Sequence, residues 1–251
     1  MPRVSILMSA YNREAYVAHA IRSITAQTFN DFELLIRDDG SGDRTLEVAK
    51  QAAANDPRVQ ISSGKNLGQI GALNQLAQRA TGQFICWVDS DDLLATAALA
   101  ETVALLDAKP EVGMVYTNYM SINEAGNPRG PGKRCQIPYS KDRLLIDFMT
   151  FHFRLVRRSI WDQLGGLDPQ AEVAEDYDFC LRLSEVTEIH HLERSLYYYR
   201  VHDDTVSREK RVEQIYASQR AIERALKRRN MDTDYELRVE IIGRFQLRKK
   251  R

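Results

Sequence analysis

The sequence comprises 251 residues, 43% of them hydrophobic and 28% charged, which is enough apolar material for a full core and excludes a disordered chain. Its 35 basic and 35 acidic residues cancel, but residues 207–251 hold 14 basic and 7 acidic residues, so this segment carries +7 and residues 1–206 carry −7. The three cysteines lack CxxC spacing, and no apolar run reaches the ~18 residues that span a bilayer, so we expect a cytoplasmic protein.

The first 120 residues alternate between apolar runs typical of buried strands and amphipathic segments typical of helices. The predicted strands cover residues 3–11, 31–41, 58–62, 83–88 and 112–120, and the predicted helices cover residues 14–27, 43–55, 70–80 and 96–110. This alternation predicts an α/β fold with a mainly parallel sheet, in which ligands bind beyond the carboxyl ends of the strands. The segments after Met8, Arg37 and Val88 should therefore open at the same edge.

The second half is less regular. Residues 123–138 are rich in glycine, proline and charge, which predicts a long surface loop of the kind that often carries function. The stretch FHFRLVRRSI at 151–160, a helix at 175–185 and an aromatic strand at 196–202 follow. Residues from about 208 onward are predicted to be helical.

Acidic residues follow the predicted strand 31–41. Gly40 permits a tight turn after Asp38 and Asp39, and a carboxylate there can accept a hydrogen bond from a nucleobase or a ribose hydroxyl. An Asp-Gly turn without any ligand is an equally good interpretation. Tyr11, at the end of the neighbouring strand, either stacks on a base or belongs to the edge of the core.

Three more carboxylates, Asp89, Asp91 and Asp92, follow the strand 83–88. Two carboxylates about 4 Å apart repel by roughly 4 kcal/mol near a protein surface, so a cation would stabilise them. Asp89 and Asp91 occupy alternate positions and can face one side, and their oxygens suit Mg²⁺ or Mn²⁺. Compensation of the dipole of the following helix would explain Asp92 but not Asp89.

Glu175 and Asp176 open a predicted helix. Asp176 shares a face with Phe179 and Cys180, and an apolar face raises the pKa of a carboxylate, which suits a general base. Glu175 also neighbours Phe179, so this spacing does not separate the two acids. Alternatively, both acids only compensate the dipole at the N-terminus of the helix and have no catalytic role.

Five segments resemble the family 2 glycosyltransferases, and in particular the type that acts in spore-coat polysaccharide biosynthesis. They read VSILMSAYNREAYVAHAIRSITAQTFNDFELLIRDDGSGDRT, then NLGQIGALNQLAQRATGQFICWVDSDD, and then LGGLDP, AEDYDFCLRLSE and YYRVHDDTVS. The resemblance implies the GT-A fold, a Rossmann-like, mostly parallel sheet with a smaller mixed acceptor-side portion and a helical C-terminal tail. We expect a glycosyltransferase domain at 1–206, divided into a nucleotide-sugar half (1–120) and an acceptor half (121–206), and a basic helical tail at 207–251.

The resemblance also assigns donor-site residues. Ala10, Tyr11 and Asp39 would hold the nucleotide base, with the ring of Tyr11 stacked on it and Asp39 accepting from its N3–H. Arg13 would lie near the diphosphate.

The segment Asp89-Ser90-Asp91 matches the family's DxD motif. Asp89 would face the ribose, and Asp91 would bind the Mn²⁺ or Mg²⁺ that bridges the phosphates. His202 matches a histidine that completes the metal shell or contacts phosphate.

On the acceptor side, Gly165 and Gly166 match a glycine turn under the acceptor. Glu175 and Asp176 match the family's acidic pair, with Asp176 as the general base.

The implied reaction is an inverting transfer of a sugar from a nucleoside-diphosphate sugar, with UDP as the expected nucleotide, to a hydroxyl of a glycan or lipid-linked acceptor. A non-catalytic, nucleotide-binding relative is the alternative. The absence of glycine from residues 9–16 disfavours a nucleotidyltransferase or a dinucleotide oxidoreductase. The basic tail predicts peripheral contact with an anionic membrane at its inner face, and neither aromatic interleaving nor a known motif supports nucleic-acid binding by it.

Overall fold

The computed structural model describes residues 1–202 and 210–241, and within them all strands join one sheet. The strands are β1 (Val4–Ala10), β2 (Phe32–Asp38), β3 (Val59–Ser63), β4 (Phe84–Trp87), β5 (Leu93–Leu94), β6 (Val112–Ile122), β7 (Pro128–Pro131), β8 (Arg154–Arg157) and β9 (Glu188–Arg200). The helices are α1 (Val17–Thr25), α2 (Thr45–Ala53), α3 (Gly68–Arg79), α4 (Ala98–Ala108), α5 (Arg158–Leu164), α6 (Glu175–Val186) and α7 (Arg211–Arg228). Short 3₁₀ segments lie at Lys133–Gln136, Arg143–Leu145 and Pro169–Ala174.

The sheet has a parallel part and a mixed part. Strands β3, β2, β1 and β4 are parallel neighbours in that order. Beyond β4, strand β8 is antiparallel to both β4 and β6, whereas β9 runs parallel to β6. Strand β5 pairs antiparallel with β9, and β7 pairs antiparallel with β6. The predicted sheet, mostly parallel with a smaller mixed portion, is confirmed.

Alternate residues of the strands face two separate cores, as the pleat of a strand requires. In β1, Ile6 and Met8 face a cluster covered by α1 and α4, whereas Leu7 faces a second cluster covered by α3, α5, α6 and α7. Strand β4 repeats the pattern, with Cys86 in the first cluster and Trp87 in the second. Both faces of the central strands are therefore buried, and ligands can reach the sheet only at its edges.

The carboxyl ends of β1, β2 and β4 meet at one edge, as predicted. The backbone N–H of Asp39 donates to the carbonyl oxygen of Ala10 at 2.8 Å, and the N–H of Asn12 donates to Ser41 Oγ at 3.0 Å. The side chain of Arg13 reaches across to Asp91. This edge carries the candidate site.

Parts of the chain differ from the prediction. Residues 128–131, predicted as loop, form β7, because Gly126 adopts a φ of +87° and turns the chain back onto β6. The short strand β5 separates Asp92 from α4, so Asp92 does not lie at the start of that helix and compensation of the helix dipole is excluded. The stretch 151–160 divides into β8 and the start of α5.

The predicted helical character of the C-terminal region is confirmed over α7, which packs against the body of the protein. Its buried face consists of Ala217, Ala221, Ile222, Ala225 and Leu226. Its arginines pair with acids of the body: Arg220 Nη2 lies 2.6 Å from Glu172 Oε2, and Arg228 Nε lies 2.8 Å from Glu185 Oε2. Part of the positive charge of this region is thus neutralised within the molecule.

Over the described residues, no helix is both long and apolar enough to cross a membrane. The predicted boundary between residues 206 and 207 lies outside the described residues.

Candidate active site

The carboxylate of Asp91 contacts two other residues that were predicted for the donor site. Its Oδ2 lies 3.1 Å from Arg13 Nε and 3.0 Å from His202 Nε2. Desolvation favours the protonated form, but the hydrogen bond from His202 and the charge of Arg13 outweigh it and hold the pKa of Asp91 below its usual value. The structure therefore brings together three residues predicted for the donor site and keeps Asp91 ionised.

A second layer holds this group in place. The ring of His202 stacks on Tyr16, with centroids 5.0 Å apart. Arg200 Nε donates to the backbone oxygen of Asp91 at 2.6 Å, and the backbone N–H of Arg200 donates to Asp92 Oδ1 at 2.6 Å. Asp92 is buried, and its function is to tie the acidic segment to β9.

Asp89 has a different set of partners from Asp91, and Ser90 between the two acids is buried. Asp89 Oδ1 accepts from Gln69 Nε2 at 3.4 Å, and its Oδ2 lies 3.5 Å from His152 Nε2. Desolvation, followed by the charge of Asp91, raises the pKa of Asp89 to about 7. Asp89 and Asp91 are thus close neighbours in opposite electrostatic surroundings.

Two residues that the sequence analysis missed, His152 and Arg154, connect Asp89 to Asp176. The Arg154 side chain is 1% exposed, and its Nη2 lies 3.3 Å from both His152 Nδ1 and Asp176 Oδ2. Because a guanidinium can only donate, His152 Nδ1 accepts and the Nε2–H faces Asp89. Burial and the charge of Arg154 lower the pKa of His152 well below its usual value, so its ring is neutral.

The signal for these residues was a histidine and an arginine interspersed with the apolar residues Phe153, Leu155 and Val156, since a buried charge needs a partner.

Asp176 lies at the start of α6 beside a cavity of about 600 Å³. The cavity is lined by aromatic rings and by residues of α7, including Tyr119, Phe148, Phe151, Tyr177, Tyr199, Gln214 and Ser218. The carboxylate of Asp176 also contacts the guanidinium of Arg154, a charged partner that the prediction from its helix face did not include. At the neighbouring Glu175, desolvation and the charge of Asp176 raise the pKa to about 8.

The residues predicted for the nucleotide base share the edge but differ in access. Tyr11 is 48% exposed, whereas Ala10 and Asp39 are buried. The carboxylate of Asp39 accepts from Arg37 Nε at 3.2 Å and from the backbone N–H of Leu67 at 2.9 Å. The role of Ala10, Tyr11 and Asp39 in binding the base stays a prediction. To bind the base, Asp39 would have to accept a hydrogen bond at an oxygen that already has protein partners.

Gly165 and Gly166 end α5 with φ angles of +71° and +77°. A side chain at Gly166 would approach Asn74 Oδ1 to 2.7 Å, and Arg182 Nη2 donates to the Gly166 carbonyl at 2.9 Å. These contacts explain both glycines as a helix end packed against α3 and α6. Neither lines the cavity beside Asp176, and their place under the acceptor stays a prediction.

The donor set fits a divalent cation with few protein ligands. Asp91 Oδ2 and His202 Nε2, which share a hydrogen bond at 3.0 Å, are a carboxylate oxygen and an imidazole nitrogen, and both could be ligands of a divalent cation. Within residues 1–202 and 210–241, no group of three or more His, Cys, Asp or Glu side chains is arranged to hold a metal. Such a two-ligand arrangement suits Mg²⁺ or Mn²⁺, which complete their shells with water and substrate phosphates. Arg13 would then leave Asp91 for another anion.

A parallel half-sheet that ends in an acidic segment and is joined to a mixed half matches solved structures of the GT-A fold. The family described as Glycosyl transferase family 2 matches residues 5–165. The chain belongs to this family.

Relatives and solved structures agree with this assignment. The chondroitin synthase of Escherichia coli is 33% identical over 207 residues, which are 82% of this chain and 30% of that protein. S. aureus TarS in complex with UDP-GlcNAc shares the fold with a TM-score of 0.72 at 22% identity, over 89% of this chain and 66% of that one. The mannosyltransferase PcManGT from Pyrobaculum calidifontis, in complex with GDP-Man and Mn²⁺, has a TM-score of 0.66 at 18% identity, over 94% and 76% of the two chains.

Proposed function

We propose that this enzyme transfers a sugar, with inversion, from a UDP-sugar to a hydroxyl of a glycan or lipid-linked acceptor, and that Asp176 is the general base. The observation that carries the proposal is the position of Asp176, which borders the cavity on one side and contacts Arg154 on the other. An acceptor in the cavity can present a hydroxyl to this carboxylate. The UDP-GlcNAc bound by TarS supports a UDP-sugar as the donor.

In the proposed mechanism, Asp176 takes the proton of the acceptor hydroxyl while that oxygen forms a bond to the anomeric carbon. The bond from this carbon to the nucleoside diphosphate breaks on the opposite side, so the configuration inverts. Arg154 holds the carboxylate of Asp176 in place, and Arg13 lies where it can bind the diphosphate once it leaves Asp91. General-base catalysis of this kind contributes about 10²–10⁴-fold to the rate.

Asp91 and His202 would hold the divalent cation, which supplies Lewis-acid stabilisation of the leaving diphosphate when bound. The Mn²⁺ bound by PcManGT together with GDP-Man supports this part of the proposal. Asp91, held ionised in the protein, is ready to bind a cation without losing a proton.

The experiment is to replace Asp176 by Asn and to measure both UDP affinity and UDP release from a panel of UDP-sugars with oligosaccharide acceptors. Turnover should fall by about 10²–10⁴-fold, because the amide cannot accept the proton, while the affinity for UDP with Mn²⁺ should stay unchanged. Asp162→Asn, an exposed acid outside the cavity, is the matched control. A fully active Asp176→Asn variant would refute the assignment, and an unaltered protein that binds UDP without turnover would favour a non-catalytic relative.

The setting of the reaction stays a prediction as well. We propose that the enzyme acts in the synthesis of cell-envelope glycans and that the transfer takes place in the cytoplasm. The three free cysteines, Cys86, Cys135 and Cys180, are consistent with a reducing compartment. Peripheral contact with the membrane would depend on basic residues other than Arg220 and Arg228, which are paired with acids.

A further inference from the structure

A second cavity, of about 440 Å³, adjoins the one that contains Asp176, and the two share Tyr119 and Arg134. Three of the seven residues that line it are cationic: Arg129, Lys133 and Arg134. None of the seven is acidic. A continuous surface therefore leads from the proposed general base to a cluster of positive charge.

Among the residues that the structure describes, these cations have no acidic partner. Over the described residues, no carboxylate lies within 4.0 Å of the charged nitrogens of Arg129, Lys133 or Arg134, in contrast to Arg220 and Arg228 of α7. Like charges gathered around one cavity repel each other, and an anion bound between them would remove that cost. The cluster thus has the electrostatics of an anion site.

Arg134 is also held in a fixed position. Its guanidinium carbon lies 4.5 Å from the ring centroid of Phe151 and 5.0 Å from that of Phe148, and its side chain is half-buried. A guanidinium held between aromatic rings loses little further freedom when it binds a planar anion, and its fork of donors matches a carboxylate or a phosphate.

The backbone around the cluster is anchored to β6. The N–H of Gly132 donates to the carbonyl oxygen of Tyr119 at 2.9 Å. A Cβ at Gly132 would come within 2.1 Å of the Tyr119 ring, so the ring packs directly on this glycine. Cys135 Sγ contacts the backbone N–H of Tyr119 at 3.2 Å, which fixes the chain on the other side of Arg134.

We infer that the acceptor is an anionic glycan, and that Arg134, with Arg129 and Lys133, binds a carboxylate or phosphate group that lies next to the sugar whose hydroxyl is attacked. The inference rests on the proposed function, since it takes the cavity beside Asp176 as the acceptor site. The aromatic rings of that cavity would contact the sugar rings, and the basic cavity would select the charge.

The test measures the dissociation constants of three oligosaccharide probes of equal length in the presence of UDP and Mn²⁺. One contains uronic acids, one is its carboxyl-reduced neutral counterpart, and one carries phosphodiesters. At least one anionic probe should bind at least tenfold more tightly than the neutral one. The anionic probe with the lower dissociation constant identifies the anionic group. Arg134→Ala should weaken its binding by tenfold or more, and the double variant Arg129→Ala/Lys133→Ala, whose side chains are exposed, should weaken it without risk to folding.

Arg143→Ala is the matched control, because Arg143 is exposed and lies outside both cavities. Equal binding of neutral and charged probes, absence of binding by both anionic probes, or unchanged binding in the double variant would overturn the inference. UDP affinity of the unaltered protein is measured in the same series. A protein that binds UDP but does not discriminate by charge contradicts only this inference, whereas one that binds no nucleotide contradicts the proposed function.

Discussion

Replacing Arg154 by Met should damage both stability and catalysis, because this buried guanidinium contacts His152 and Asp176 at 3.3 Å each. A hydrogen bond to a charged group contributes about 1.5–3 kcal/mol, and breaking a fully buried pair costs about 3–5 kcal/mol. The carboxylate of Asp176 is 20% exposed, so water can replace part of the interaction. We therefore expect a loss of about 2 kcal/mol in the free energy of unfolding, which lowers Tm by about 4–8 °C for a domain of this size.

The same change should lower kcat, because Asp176 loses the group that orients it. A displacement of about 1 Å in a reacting group can cost about 10²-fold in rate, and we expect a decrease of that order. The KM for the UDP-sugar should change little. Arg154→Lys keeps the charge but cannot make both contacts at once, so its kcat should lie between those of Arg154→Met and the unaltered protein.

The assay combines thermal unfolding with initial rates measured at least 15 °C below the Tm of each variant. A role in folding alone would lower Tm and leave kcat unchanged. An Arg154→Met variant with a full kcat would therefore refute the view that Arg154 positions the base.

Three further predictions concern other parts of the molecule. Asp91→Asn should weaken UDP binding at least tenfold with Mn²⁺ but not with EDTA, as titration calorimetry can show, because the amide is a poorer ligand for the cation. The pKa of Glu175 is raised to about 8 in the folded protein. Its contribution to stability is therefore fully present below pH 4.5 and is lost as the pH rises through 8. The Tm of Glu175→Gln should rise relative to the Tm of the unaltered protein as the pH increases from 5 to 8.5. Gly166→Ala should lower the free energy of unfolding by more than about 1 kcal/mol, because φ is +77° and the new Cβ meets Asn74, whereas Gly42→Ala, with open space around it, should not.

Each has an outcome that contradicts it. Equal loss of UDP affinity with and without Mn²⁺ would show that Asp91 is not a metal ligand. Asp107→Asn, in an exposed pair with Arg3, is the control for this substitution. A Tm difference that does not change with pH would mean that Glu175 ionises without cost. A Gly166→Ala protein as stable as Gly42→Ala would mean that the turn can rearrange.

The parallel half of the fold and its edge were predictable because their signals are local. Apolar runs such as residues 83–88 form strands, and parallel strands necessarily end at the same edge. The contact between Arg13 and Asp91 joins two such ends, so the sequence could indicate that these residues meet.

The mixed half depends on pairings between distant segments, which no local pattern reveals. Strand β8 is inserted between β4 and β6, and only this pairing brings His152 and Arg154 between Asp89 and Asp176. Asp92 illustrates the same limit: next to a helix in the sequence, it is separated from that helix by β5 and binds the backbone of β9 instead.

Helix α7 also sets a practical boundary for fragments of this domain. The family match ends at residue 165, yet Ala221, Ile222 and Ala225 of α7 complete the second core. A fragment cut before α7 would leave an uncovered apolar surface on α6 and expose the acids that Arg220 and Arg228 neutralise. Such a fragment should aggregate on expression, so the domain is best excised beyond residue 228, even where the family resemblance has already faded.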